Sequence, residues 1–416
     1  MPLAVSALLA AGAMLPAPPL RDAVTRAPAT DVALRYPAGY STLAPMYDVL
    51  DMMSLLSVEE HAALLATVAV GFGIWRARRP RPRRRRRPLW PECRAGLALF
   101  AAAVAVYGGG MVIERPMAAL SVGDEEVVVV DFHSHTTSSK DGRPGFDAED
   151  NRRWHAAGGF HAAYVTDHRN WVSATEGGWR NPARAGDGTV LLPGIEARYG
   201  GEHIVALGAE PRWLGVVARN RMDMEAFADS VRAGGAAAAG AVILTLPAFL
   251  DEVPTGAPDG IGRLHAVEIS DAAPRGLGQA RRERDALLQL ADSLGLVMVA
   301  GSNNHGWART AAAWTLVRVP GWRTMSPRAL AEALEARLRT DSAGDLQVIE
   351  RRPPSLLGTT PVAVAATAPL LAWTAASTLD VPRRAAWLAW TWGAWTAWLA
   401  WRGLRSWRSR RRLQLA

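Results

Sequence analysis

Asp131-Phe-His-Ser-His-Thr-Thr-Ser-Ser-Lys-Asp-Gly142 begins as the apolar run Glu126–Phe132 gives out, and the whole fold can be read outward from it. The run is rich in valine and predicts a strand. His133 and His135 stand two residues apart where it ends, so both imidazoles point to one face. The pattern recurs along the chain. Ala162–Thr166 leads into Asp167-His168, Val190–Ile195 into Glu196, and Leu296–Ala300 into Gly301-Ser-Asn303-Asn304-His305. Further β-rich runs at His203–Leu207, Val242–Leu246 and Ala266–Ile269 alternate with helical patterns at Asp147–Ala157 and Asp223–Arg232. Another helix opens at Ser326-Pro327, with serine as N-cap and proline in the first turn. Such alternation predicts a mainly parallel α/β sheet or barrel. Metal-type side chains then gather at the C-terminal ends of separate strands, where α/β barrels build active sites. One histidine pair would mean little; clusters at four strand ends point to a metal site.

Taken in order, these segments resemble the motifs of the PHP (polymerase and histidinol phosphatase) superfamily. Asp131–Gly142 is similar to its first motif and Val165-Thr-Asp-His-Arg-Asn170 to its second. Gly194-Ile-Glu196 is similar to the third, and Gly301-Ser-Asn-Asn-His305 to the last. The resemblance implies a distorted (β/α)7 barrel over residues 115–355 that holds two or three divalent ions, Mn, Fe or Zn. His133 and His135 would hold the first ion, and Glu196 would bridge to the second, with His203 of Gly201-Glu-His-Ile-Val as a further ligand. Asp141, His168 and His305 would hold the third, and Glu196 and His305 would act in catalysis. The implied reaction is hydrolysis of a phosphate ester by a metal-bound hydroxide, on a phosphorylated small molecule or nucleotide. Imidazoles and carboxylates suit these metals. Ions about 3.5–4 Å apart activate a shared water and neutralise phosphoryl oxygens.

Two positions depart from the family pattern. Asn303 stands where an aspartate ligand is usual and would remain a metal ligand through its neutral amide oxygen, so the first ion should bind more weakly; Leu246 stands where a histidine is usual, and His265 is a candidate to replace the latter. The departures motivate an alternative, a catalytically weakened module that binds metal or ligand at the membrane. His155 and His161 read as structural. Arg309 reads either as a phosphate contact or as a solvated loop charge. The glycines of Tyr107-Gly-Gly-Gly110 lack the Lys-Ser/Thr of a phosphate loop.

The rest of the 416 residues locates this domain. The net charge of +8 is not spread over the chain: Arg76–Arg87 contains nine arginines and Arg402–Arg412 six, and removing those fifteen charges leaves −7. A basic nucleic-acid-binding face is therefore not expected. A single cysteine, Cys93, excludes intramolecular disulfides and cysteine-rich metal sites. Residues 1–58 read as an N-terminal segment, a signal or weak anchor. Residues 59–113 read as a transmembrane hairpin around the arginine-rich loop 76–88, with spans over His61–Trp75 and Ala95–Ile113. Pro361–Leu379 is another uncharged 19-residue run, and Ala385–Trp401 carries six tryptophans, so 361–401 reads as transmembrane or interfacial helices before the basic tail 402–416. Short arginine-rich loops stay cytoplasmic. The expected partner is therefore a lipid bilayer, with the 115–355 domain on the extracytoplasmic side of the cell membrane.

Overall fold

All seven apolar runs fold as strands. In chain order the strands are β1 (Leu20–Asp22), β2 (Val32–Arg35), β3 (Ala119–Val122), β4 (Val127–Ser134), β5 (Ala162–Val165), β6 (Val190–Tyr199), β7 (Glu202–Leu207), β8 (Ala241–Leu244), β9 (Ala266–Asp271), β10 (Val297–Gly301), β11 (Ala313–Arg318) and β12 (Leu346–Arg351). The computed structural model describes residues 2–78, 89–168, 170–199, 202–208, 240–248, 250, 264–340, 346–353, 362 and 366–414. The arginines from 79 to 87 and the helix expected at Asp223–Arg232 lie outside the described residues.

The fold is mixed α/β, built on one ten-stranded sheet in the order β1-β12-β11-β4-β5-β6-β7-β8-β9-β10. From β4 to β6 and from β8 to β10 the strands are parallel, while β7 is antiparallel to both its neighbours. The exception follows from chain length. Only residues 200 and 201 separate β6 from β7, too few for a crossover, so the chain must turn back. β11, β12 and β1 extend the other edge, all antiparallel. Strands buried on both faces read as unbroken apolar runs, as β8 does. One face of the sheet carries Val128, Val130 and Phe132 against Leu330, Leu334 and Leu338 of the helix Pro327–Thr340; the other packs Val165, Ile195 and Val267 on Leu287 and Ala291 of the helix Arg284–Leu294.

The sheet curls until the segment after β10 meets the end of β4. Asn303 N–H donates to the His133 carbonyl (2.8 Å), and His135 N–H donates to the Asn304 carbonyl (3.1 Å). The curl brings the histidine motif of β4 and the last motif together, though they are far apart in sequence.

The N-terminal residues belong to the same body. Asp51, in the helix Ala44–Ser54, is fully buried and accepts from Arg115 Nη2 (3.2 Å), Arg351 Nη1 (3.1 Å), Thr310 Oγ1 (2.5 Å) and Tyr40 Oη (3.0 Å). Asp48, one turn earlier, takes Arg383 Nη1 (2.8 Å) and Trp387 Nε1 (2.9 Å) from the helix Val381–Gln414.

Among the described residues two helices are long and apolar enough to cross a membrane, Val58–Ala77 and Trp90–Val112, and the second has none of its 18-residue apolar window buried. Of Pro361–Leu379, the helix described is Thr367–Thr378, about 18 Å long at 1.5 Å per residue. Its last turn is buried, and Gly12 of the helix Pro2–Met14 lies so close that a Cβ there would sit 2.5 Å from the Ala376 carbonyl oxygen. The tryptophan-rich run lies within Val381–Gln414, which enters with a buried Arg383.

One buried acid tests the packing directly. Burial, with Glu332 nearby, pushes the Glu335 carboxyl up to about 7, opposed by the Tyr164 hydroxyl 3.2 Å away and by Arg339. An acid raised in the folded state contributes fully below its unfolded value of 4.5, and that contribution is lost as pH climbs through 7. Glu335→Gln is therefore expected to gain up to about 3 kcal/mol over the parent at pH 8 and nothing at pH 4 in denaturant titrations. A pH-independent difference would contradict this.

Candidate metal centre

Five strand ends deliver the cluster. His133 and His135 come from the end of β4, His168 from just beyond β5, Glu196 from β6, His203 from β7, and His305 from the loop after β10. Glu196 is the hub, 4% exposed. Its Oε2 lies 3.3 Å from His133 Nε2, 3.2 Å from His135 Nε2 and 3.0 Å from His168 Nδ1, while its Oε1 meets His203 Nδ1 at 2.5 Å. His135 stacks on His305 with ring centroids 4.0 Å apart. Asp141, 61% exposed at the mouth, approaches His305 Nδ1 (3.1 Å) and His168 Nε2 (3.7 Å).

The outer hydrogen bonds fix which ring nitrogens are free. His133 Nδ1 donates to Glu268 Oε1 (2.8 Å). Ser139 Oγ gives its one proton to Asp167 Oδ1 (2.9 Å) and accepts from His168 N–H (3.1 Å), so His135 Nδ1, 3.0 Å away, donates to it. With both rings neutral, the two Nε2 lone pairs face each other at 2.9 Å, a conflict that a proton on His133 or a cation between them relieves. A second such conflict lies at the mouth. Asn303 Nδ2 donates to Asp271 (3.0 Å), which leaves Asn303 Oδ1 to accept from His305 Nε2 (3.0 Å) and turns the His305 Nδ1 lone pair toward the Asp141 carboxylate. Acceptor facing acceptor is unfavourable unless a cation lies between. Ligand atoms about 2.1 Å from one ion sit roughly 3.0–3.4 Å apart, close to the 2.9, 3.3 and 3.2 Å among His133 Nε2, His135 Nε2 and Glu196 Oε2. Three groups, His133-His135-Glu196, His168-Glu196-His203 and His135-His168-His305, keep their ligand atoms within 4.8 Å. The donor set fits divalent metal ions.

The electrostatics agree. Burial alone would depress the His133 imidazole, but the Glu268 and Glu196 carboxylates hold it well above its ordinary value. Burial, with the charges of His133 and His305, drives His135 well below. Glu196, although buried, is held well below the usual carboxylate range by the imidazoles, His133 foremost. The pocket thus stabilises positive charge at its centre. Beside it, burial and the charge of Glu268 push Asp271 up to about 7.

Asn303 has a left-handed backbone, φ 44°, and its amide is spent on Asp271 and His305 rather than aimed at the β4 histidines. Leu246 packs against the core, and its N–H donates to Glu268 Oε2 (3.3 Å). His265 does not replace the missing histidine: it precedes β9, where its Nδ1 accepts the Val242 N–H (3.1 Å), at the opposite end of the strand from Asp271. His155 is buried and structural, bonding Asp131 Oδ2 (2.8 Å) while Asp131 Oδ1 holds the Ser302 and His133 amides. His161 Nδ1 likewise accepts the Val129 N–H (3.1 Å). Arg309 donates to the carbonyls of Met111 (2.8 Å) and Val112 (3.2 Å), capping the helix Leu89–Val112.

Glu268, Ser139 and Asp167 were not singled out as functional residues from sequence. A carboxylate in the middle of the buried strand Ala266-Val-Glu268-Ile-Ser-Asp271 was the available signal. Gly301 exists for Glu268: a Cβ there would fall 2.4 Å from Glu268 Oε1 and 2.8 Å from His133 Cβ. Because the carboxylate sets the His133 tautomer, Glu268→Gln is expected to weaken manganese binding roughly 10–100-fold in calorimetric titration of the full chain. Unchanged affinity would remove Glu268 from the centre.

No protein-family model matches the chain, and no curated protein matches it in sequence. Among solved structures it is similar to PsfC from Pseudomonas syringae, at 16% identity and a TM-score of 0.35, over 51% of this chain and 94% of that one. It is also similar to a two-domain protein from Bacteroides vulgatus containing a predicted PHP-like metal-dependent phosphoesterase (17% identity, TM-score 0.32, 50% of this chain and 63% of that one). A third is the lesion-specific endonuclease PfuEndoQ from Pyrococcus furiosus (14%, 0.36, 50% and 56%). The chain spans less than two thirds of the length of these last two. At such overlap the role of each residue rests on the geometry of this site itself.

Proposed function

We propose that the chain is a membrane-anchored, metal-dependent phosphoesterase of the PHP type. The observation that carries this reading is Glu196, one carboxylate shared by four imidazoles from three strands, with the His133 and His135 ring nitrogens turned toward each other. His133, His135 and Glu196 would hold one ion; Glu196, His168 and His203 a second; His168, His305 and Asp141 a third. Mn, Fe and Zn all suit these donors. Such ions, when bound, supply positive charge to the phosphoryl oxygens and lower the pKa of a water.

The chain's own residues do the rest. Glu268 and Ser139 hold the two β4 imidazoles as nitrogen donors, and Asp131 with His155 locks the loop after β10 against β4. His305, partly exposed at the mouth beside Asp141, is placed to meet the phosphate ester. The substrate class is a phosphorylated small molecule or nucleotide. The exposed helices 58–77 and 90–112 support anchoring, and the arginine-rich loop between them supports an extracytoplasmic domain. A reporter fused after Arg115 should then be active only outside the cytoplasm; cytoplasmic activity would reverse the orientation.

The direct test is turnover of p-nitrophenyl phosphate and its bis-ester by the full chain with manganese and after chelation. Metal-dependent release of nitrophenol supports the enzyme. Stoichiometric metal without release of either product would favour the weakened binding module, to which the amide at Asn303 points.

A further inference from the structure

Between the candidate membrane hairpin and the cluster lies a cavity of about 320 Å³. Its wall is mostly apolar, with Met53, Val106, Met111 and Trp307, and it includes Asn303 and His305 of the last site loop. Ligand pockets of this kind, apolar with a few convergent polar groups, take molecules with an apolar body and a polar end. The wall on one side is the helix Leu89–Val112 itself, whose Phe100, Val104 and Val112 are exposed. The foot of that helix is tied to the site: Arg309 caps it, and Arg115 Nη1 donates to the Gly110 carbonyl (2.8 Å) while bonding Asp51. His61 Nδ1 and Tyr107 Oη, 2.9 Å apart, join the two helices of the hairpin beside the same cavity. The apolar hollow thus shares one wall with a helix exposed on its other side and another wall with His305.

We infer that the substrate is a phosphorylated lipid, its phosphate ester at the cluster beside His305 and its hydrocarbon chain in this cavity. The inference rests on the phosphoesterase reading and names its substrate class. A free phosphate ester shares the headgroup chemistry but leaves the cavity unused.

The test uses the full chain in detergent micelles with manganese. Hydrolysis of long-chain phosphatidic acid is compared with that of glycerol 3-phosphate, in the parent and in Met53→Trp and Val106→Trp, which fill the cavity. The long-chain ester is expected to be preferred at least about tenfold in kcat/KM, since two buried methylenes already supply such a factor. Both variants should lower that preference about tenfold while binding manganese as the parent does. A photoreactive phosphatidic acid analogue should label peptides 106–111 and 303–310, in competition with phosphatidic acid. Equal turnover of both esters, or labelling confined to the outer surfaces of the hairpin, would overturn the lipid substrate and leave the phosphoesterase standing. Manganese-loaded protein that hydrolyses neither ester, nor p-nitrophenyl phosphate, would overturn both.

Discussion

Glu196→Gln is expected to strip the centre of metal and to abolish phosphoester hydrolysis. Glu196 is the carboxylate common to His133, His135, His168 and His203, and it lies at the shared edge of two of the three ligand groups. The amide is the same size, so packing survives, but the charge that neutralises bound cations is gone and one oxygen becomes a donor. Removing a partner one shell out commonly costs 10–100-fold in affinity or activity, so losing the hub should cost more, on the order of a thousandfold. Metal content by plasma mass spectrometry, beside turnover, reads both effects. A variant that retains stoichiometric manganese would show that the site is built elsewhere.

The second large effect lies outside the cluster. Asp51→Ala leaves Arg115 and Arg351 buried, 2% and 3% exposed, without their shared carboxylate. Breaking a buried pair by removing one partner costs about 3–5 kcal/mol, because an uncompensated charge remains. Thr310, five residues beyond His305, loses its partner in the same step, so the site loop should loosen together with the foot of the hairpin. The measurement is the urea midpoint of the full chain, with Asp51→Asn as a control that keeps hydrogen bonding and loses charge. A shift below about 1 kcal/mol for the alanine variant would mean that the network is solvated and that the helix Ala44–Ser54 is not integral to the sheet domain.

Much of this architecture was legible because burial on both faces leaves strands no freedom of composition. Val127–Val130 and Ala241–Leu244 are wholly apolar, and the polar residues near the end of β4 mark where the sheet opens to a site. β1, β11 and β12 were not legible, being flanking strands whose places in the sheet are set by antiparallel pairing with segments far off in sequence, β1 with β12 and β11 with β4. The hub and its imidazoles could be read from strand ends, but Glu268 could not, since its role depends on β9 lying beside the curl that brings His133 across to it. The orientation of Asn303 was likewise hidden, set by a left-handed backbone and a buried Asp271. The apolar runs show the limit most clearly. Composition alone does not separate Ala95–Ile113, which stands uncovered, from Pro361–Leu379, whose helix is packed on Gly12 and the helix around it.

The central claim is that these imidazoles and Glu196 form a metal centre, and anomalous diffraction at the manganese edge from crystals of the full chain grown with manganese tests it most directly. The account predicts a peak bounded by His133 Nε2, His135 Nε2 and Glu196 Oε2, and another between Glu196 Oε1 and His203. Saturating manganese with no anomalous density at either place, and the side chains unmoved, would contradict it.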